Sequence, residues 1–223
     1  MKKTIVKVVF SVFFLSFFLV ACTTTGVKQP EEKAVPAKAP PAKYTKEQKE
    51  TLDIFTRILD IYENAESRQA AAKEAEALYS RIINEYPNTP LAQESYWKLI
   101  TVAVRDYRPP DFEKAEKHYE KFVLKYPDSV LSNAVNQTLI NSYVRHKEWA
   151  RLLKFCTPAF MQYKEKGNKI SPLVLFMYSE SNYRLVNIVE AEEGYKTVLE
   201  LYPTLSYGKR AKKRLKEIRQ TAD

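Results

Sequence analysis

AEALYSRIINEYP, residues 75–87, returns in altered form as AEKHYEKFVLKYP at 115–127 and as AEEGYKTVLELYP at 191–203. Each copy places alanine first, tyrosine four residues on, an aliphatic or aromatic pair at offsets seven and eight, and Tyr-Pro at eleven and twelve. These offsets fall on one face of an α-helix, so each copy carries an apolar stripe that a lone helix cannot bury. The alanine admits a neighbouring helix closely and the tyrosine fills the space beside it. The proline cannot continue the helix, so it ends the segment and starts the turn to the next.

The starts at Ala75 and Ala115 are 40 residues apart, and the gap from Ala115 to Ala191 is 76, which calls for one more copy between them. A degenerate one begins at Leu152, with Cys156 at the tyrosine position, Ala159 at the next packing position and no Tyr-Pro ending. The four starts are then separated by 40, 37 and 39 residues. Other helices are expected between the copies. Thr45, with Gln48 three residues later, reads as a capping box opening a helix to about Asn64. Thr89-Pro90 and Ser171-Pro172 each offer a capping hydroxyl before a first-turn proline, for helices reaching about Asp106 and Val186. Two more are expected over Val130–His146 and Ser206–Gln220. The reading is all-α: an α-solenoid of about four helical hairpins plus a C-terminal capping helix, one domain over residues 44–223.

Ahead of that domain lie two segments of different character. The apolar run from Ile5 to Ala21 follows Lys2-Lys3 and is 17 residues long, interrupted by Lys7, Ser11 and Ser16. A membrane span wants about 20 apolar residues, so the run fits a secretory signal better. It closes on Leu19-Val20-Ala21-Cys22, which resembles the bacterial lipoprotein signal. That resemblance implies cleavage of residues 1–21 as a lipoprotein signal peptide and acylation of Cys22, the lipid attachment site. Thr23 in place of aspartate after the cysteine favours the outer membrane, with the domain facing the periplasm. Residues 22–43 hold four prolines, many lysines and alanines and no aromatic residue, the composition of a disordered tether. In extended polyproline form, at about 3.1 Å per residue, it would reach roughly 65 Å.

Loss of Lys2, Lys3 and Lys7 with the signal lowers the net charge from +9 to +6, too mild an excess to name a partner. With Cys22 acylated, Cys156 is the remaining thiol, a small hydrophobe amid Leu152, Leu153, Phe155 and Phe160. His118 and His146 stand in separate repeats, and the chain holds no HExxH, paired-cysteine or glycine-rich phosphate motif. No catalytic residue, cofactor or metal site is therefore expected, and the chain does not read as an enzyme.

The spacing of alanine, tyrosine and proline resembles the second helix of the tetratricopeptide repeat. The first helices match more weakly, through Leu99, Val102 and Ala103, Leu139 and Tyr143, and Leu175 and Tyr178. The intervals exceed the usual repeat length of about 34 residues, implying longer helices or turns. Where the family usually has glycine in the first helix, this chain has Ala103, Ile140 and Ser179. Together with the lipobox and tether, the repeats resemble the tetratricopeptide lipoproteins of the outer-membrane β-barrel assembly machinery, and periplasmic relatives that coordinate envelope work. The resemblance implies a membrane-tethered protein-binding scaffold, whose partner would be a barrel-assembly subunit or an unfolded outer-membrane client. Peptidoglycan synthesis and pilus or secretin assembly are the alternative settings. Nucleic acid is not an expected partner for an exported lipoprotein.

In such arrays the first helices line a concave surface. The register then assigns a groove to Trp97, Ile100, Val104 and Tyr107, to Gln137, Asn141 and Arg145, and to Phe176, Glu180, Tyr183 and Arg184. Apolar anchors beside amide and guanidinium groups suit a peptide backbone or carboxylate. The last helix carries Lys209, Arg210, Lys212, Lys213, Arg214, Lys216 and Arg219 around an Ala211, Leu215, Ile218 stripe, the pattern of a cap with a basic outer face.

Overall fold

The structure, a computed structural model, describes residues 44–220. The expected signal peptide, the Cys22 attachment site and the tether lie outside the described residues. Among the described residues there are nine α-helices and no strand: α1 (Lys46–Asn64), α2 (Arg68–Glu85), α3 (Pro90–Arg105), α4 (Phe112–Lys125), α5 (Ser132–His146), α6 (Trp149–Lys166), α7 (Pro172–Arg184), α8 (Ile188–Leu201) and α9 (Ser206–Gln220). None of them is long and apolar enough to cross a membrane.

The local signals act largely as their chemistry requires. Thr45 and Gln48 form a reciprocal capping box at α1. Thr89 and Ser171 do occupy N-cap positions before Pro90 and Pro172, but neither hydroxyl caps its helix. Thr89 instead donates to the Tyr86 carbonyl at 2.8 Å, holding the preceding turn. The degenerate third copy forms α6, which runs through Pro158 and ends at left-handed Gly167 rather than at Tyr-Pro. The helix expected to reach Val186 stops at Arg184, because the chain reverses there with Val186 at φ 64°.

Each helix packs on its neighbours in the chain, and α3 also packs on α5 and α7 on α9. The result is an all-α array of antiparallel hairpins in solenoid order. Its core follows the repeated stripe: Ala75, Ala115, Leu152 and Ala191 are all completely buried. Tyr79, Cys156 and Tyr195 at the tyrosine position are buried as well, while Tyr119 is half-buried against Phe155. A buried aromatic of this kind contributes about 1.5–3 kcal/mol. Burial pushes the Cys156 thiol up to about 12, so this cysteine is inert packing, as its apolar neighbours in the sequence suggested.

Two hydrogen-bonded devices recur between copies. The first is a clip on the glutamate that follows the motif alanine. Glu76 accepts from the Tyr107 hydroxyl at 3.0 Å and from Lys114 at 3.2 Å. One copy later, Glu116 accepts from the Tyr143 hydroxyl and from Arg151, both at 2.9 Å. In each case the cation stands just before the first residue of the following copy, so the clip bridges successive motif helices. Between the last two copies the corresponding positions are Leu153 and Glu190, and no clip can form. The second device explains the tyrosine of Tyr-Pro. The Tyr126 hydroxyl donates to the Pro87 carbonyl at 2.7 Å, and the Tyr202 hydroxyl donates to the Ile170 carbonyl, so each clamps the turn of the preceding repeat.

Val186 is a β-branched residue held in the left-handed region at 76 % exposure. Such a residue costs roughly 1–2 kcal/mol there, against about 0.5–1 kcal/mol for the extra chain entropy of glycine. Val186→Gly is therefore expected to raise domain stability by roughly 0.5–1 kcal/mol, read as a shift of the urea midpoint at constant slope. An unchanged or lowered midpoint would mean that Val186 contributes packing the geometry does not show.

Candidate functional site

Two surfaces are candidates for a site. The first is the groove assigned to the first helices. Ile100, Val104 and Phe176 belong to the buried core. Trp97 is half-buried and its indole N–H donates to the Thr138 hydroxyl at 2.9 Å, tying α3 to α5. Tyr107, just past α3, is engaged in the Glu76 clip. On α5, Gln137, Asn141 and Arg145 are exposed in one row at four-residue spacing.

At α7 the assigned residues serve α9. Glu180 is 6 % exposed, and its carboxylate accepts from Arg214 Nη2 at 2.7 Å and Nε at 3.0 Å, from the Tyr195 hydroxyl at 2.8 Å and from Arg184 at 3.0 Å. Burial by itself would raise this carboxyl, but the Arg214 and Tyr195 hydrogen bonds hold it below the ordinary value. Tyr183 is half-buried with the Arg214 guanidinium 5.0 Å above its ring. Arg184 is exposed and lies 5.4 Å over Trp149. Arg214 thus points inward rather than joining a uniformly basic outer face, whereas Lys209, Arg210, Lys212, Lys213, Lys216 and Arg219 do stay exposed. Ala211, Leu215 and Ile218 are buried, as the stripe required. Of the eight strongest groove candidates, Gln137, Asn141, Arg145 and Arg184 remain at the surface, while Trp97, Tyr107, Glu180 and Tyr183 join one helix to the next.

The second surface lies between motif helices α4 and α6. It is a cleft of about 480 Å³. Tyr119, Val123, Phe155, Pro158 and Ala159 give it apolar walls, with Tyr143 below. Glu116 and Arg151, paired at 2.9 Å, form one rim together with Glu120 and Lys154. Burial, with Glu116 alongside, pushes the Tyr143 hydroxyl above its ordinary value, so it stays protonated and keeps donating. The sequence did hold a sign of this cleft. Phe155 and Pro158 occupy offsets three and six of the third copy, where the second copy has His118 and Lys121. Two polar positions on the outer face have become apolar.

Burial and nearby Lys121 pull the His118 imidazole below its ordinary value. Among the described residues no cluster of His, Cys, Asp or Glu is arranged to hold a metal ion. The two surfaces consist of an apolar slot bordered by paired charges, and a separate row of amides and a guanidinium. No family model matches the chain, and no curated protein or solved structure shows significant similarity to it.

Proposed function

We propose that this chain is a lipid-anchored, periplasm-facing scaffold of tetratricopeptide-like hairpins that binds protein or peptide segments during outer-membrane protein assembly. The observation that carries the binding role is the α4–α6 cleft. Its 480 Å³ is within the range of pre-formed ligand sites and has room for a few apolar side chains. The Glu116–Arg151 pair and Lys154 supply polar groups to orient a bound backbone. An amphipathic or extended segment laid across such a slot places its anchors in the apolar walls. The setting rests on the lipobox-like sequence ending at Cys22 and on the resemblance of the repeats.

The test is photocrosslinking in native membranes from probes at Phe155, Arg145 and Arg184, with Val130, 92 % exposed on a turn, as the reference. Capture of a barrel-assembly subunit or an unfolded outer-membrane client from Phe155, and not from Val130, is expected. Capture of peptidoglycan synthases or pilus and secretin proteins would move the scaffold to envelope coordination. Absence of any specific partner at all three probes would overturn the binding role.

A further inference from the structure

The turn between α7 and α8 is unusual for a surface. Leu185, Val186, Ile188 and Val189 are 37, 76, 37 and 78 % exposed, with only Asn187 among them. Four exposed aliphatic side chains within five residues of one turn supply the kind of apolar surface that marks an interaction site. The strained backbone at Val186 holds them there, and strain of this sort persists where the surroundings fix it.

Cations lie on the elements next to the tip. Arg184 immediately precedes it, and the stacking of Arg184 over Trp149 brings the α5–α6 turn alongside, with Arg145 and Lys147 exposed. Helix α9 packs on α8, and Arg219 near its end acts electrostatically on Glu192 in the first turns of α8. The nearby acids are largely engaged: Glu192 with Lys196 at 2.8 Å and Glu148 with Arg151 at 3.7 Å, leaving Glu190 exposed in the first turn of α8.

The exposed side chains of the tip itself are leucine, isoleucine and valine, and leucine and valine are under-represented in protein-binding hot spots. Aliphatic side chains ringed by lysine and arginine suit an interface of acyl chains beneath anionic headgroups. We propose that the α7–α8 turn is a membrane-contact tip that inserts Val186 and Val189 into an anionic lipid surface, with Arg145, Lys147, Arg184 and Arg219 at the headgroups. The contact belongs to the folded array itself and is separate from any acyl group on Cys22.

The experiment uses the full chain on vesicles of phosphatidylethanolamine with phosphatidylglycerol, and on phosphatidylcholine vesicles. A nitrobenzoxadiazole group is attached at Val186→Cys, with Val130→Cys as the reference and the unsubstituted chain providing the labelling background. Flotation reads the anchor independently. On anionic vesicles the probe at position 186 is expected to shift to the blue, brighten about threefold and be quenched by shallow spin-labelled lipid. The Val130 probe should not respond, and Arg145→Glu with Lys147→Glu, or high salt, should remove most of the signal. A floating chain whose position 186 stays aqueous on both vesicles would overturn the tip while leaving the anchor intact. A blue shift that needs membrane proteins and shows no lipid quenching would assign the tip to a protein partner and equally overturn the lipid contact.

Discussion

Arg214→Ala is expected to lower the stability of the domain by about 3 kcal/mol, a fall in Tm of roughly 10 °C, and to release α9. The reason is the fate of Glu180. Its carboxylate is buried and takes two of its four hydrogen bonds from Arg214. Removing the guanidinium leaves an anion of 7 % side-chain exposure with Tyr195 and the half-exposed Arg184 as its partners. Breaking a buried pair from one side costs more than the pair itself contributes, because the remaining charge cannot reach water. The low end of the usual range applies, since Arg184 still compensates in part.

The dependence on pH has a definite sign. Glu180 is held below its ordinary value in the folded protein, so the pair's contribution is fully present above the unfolded carboxyl pKa. It is lost as pH falls through the lower folded value. In Arg214→Ala that depression is relieved, and the deficit relative to the parent should therefore be widest near neutrality and narrow in acid. Thermal unfolding at neutral pH and at about pH 4 reads both effects. Equal Tm values for parent and variant at neutral pH would show that α9 is held by its apolar stripe alone.

Gly208→Val should be comparably damaging, by about 3 kcal/mol, for a steric reason. A Cβ at Gly208 would stand 2.2 Å from the Tyr202 carbonyl oxygen and 2.9 Å from that of Pro203. Both obstacles are backbone, so the α8–α9 turn must open rather than one side chain rotate. Opening it moves Arg214 away from Glu180, and the variant should show early proteolytic cleavage near residues 203–208 together with the lowered Tm. Gly167→Ala is the useful contrast, because its added Cβ meets nothing within 4 Å and its cost is confined to the positive φ. Native-like protease resistance in Gly208→Val would contradict the close approach.

The helices and their buried face were legible in the sequence because periodicity records them directly. Ala75, Ala115, Leu152 and Ala191 are each followed at fixed offsets by the residues that pack beside them, and all four are in the core. Cys156 could be read as a substitute for tyrosine by position alone. Pairings across repeats left no such record. Glu76 and Lys114, 38 residues apart, look like solvated charges on two separate helices until the hairpins stack. Arg214 was one of seven basic residues in a short helix, and only the depth of Glu180 distinguishes it from the other six. The α4–α6 cleft was missed for a related reason. The family register points to the first helices, while the informative change is the replacement of the polar residues of the second copy by Phe155 and Pro158 in the third.

The clips and turn clamps share a direction. Tyr107 and Lys114 donate back to Glu76, Tyr143 and Arg151 back to Glu116, Tyr126 back to Pro87, Tyr202 back to Ile170, and Tyr195 and Arg214 back to Glu180. In every one, the later residue supplies the proton and the earlier one waits for it. A chain made from its amino terminus therefore cannot complete one of these contacts until the following repeat has emerged, and the Arg214 bonds to Glu180 close last, when α9 arrives. Rigidity is thus gained hairpin by hairpin along the chain, and the last helix fixes the last hairpin.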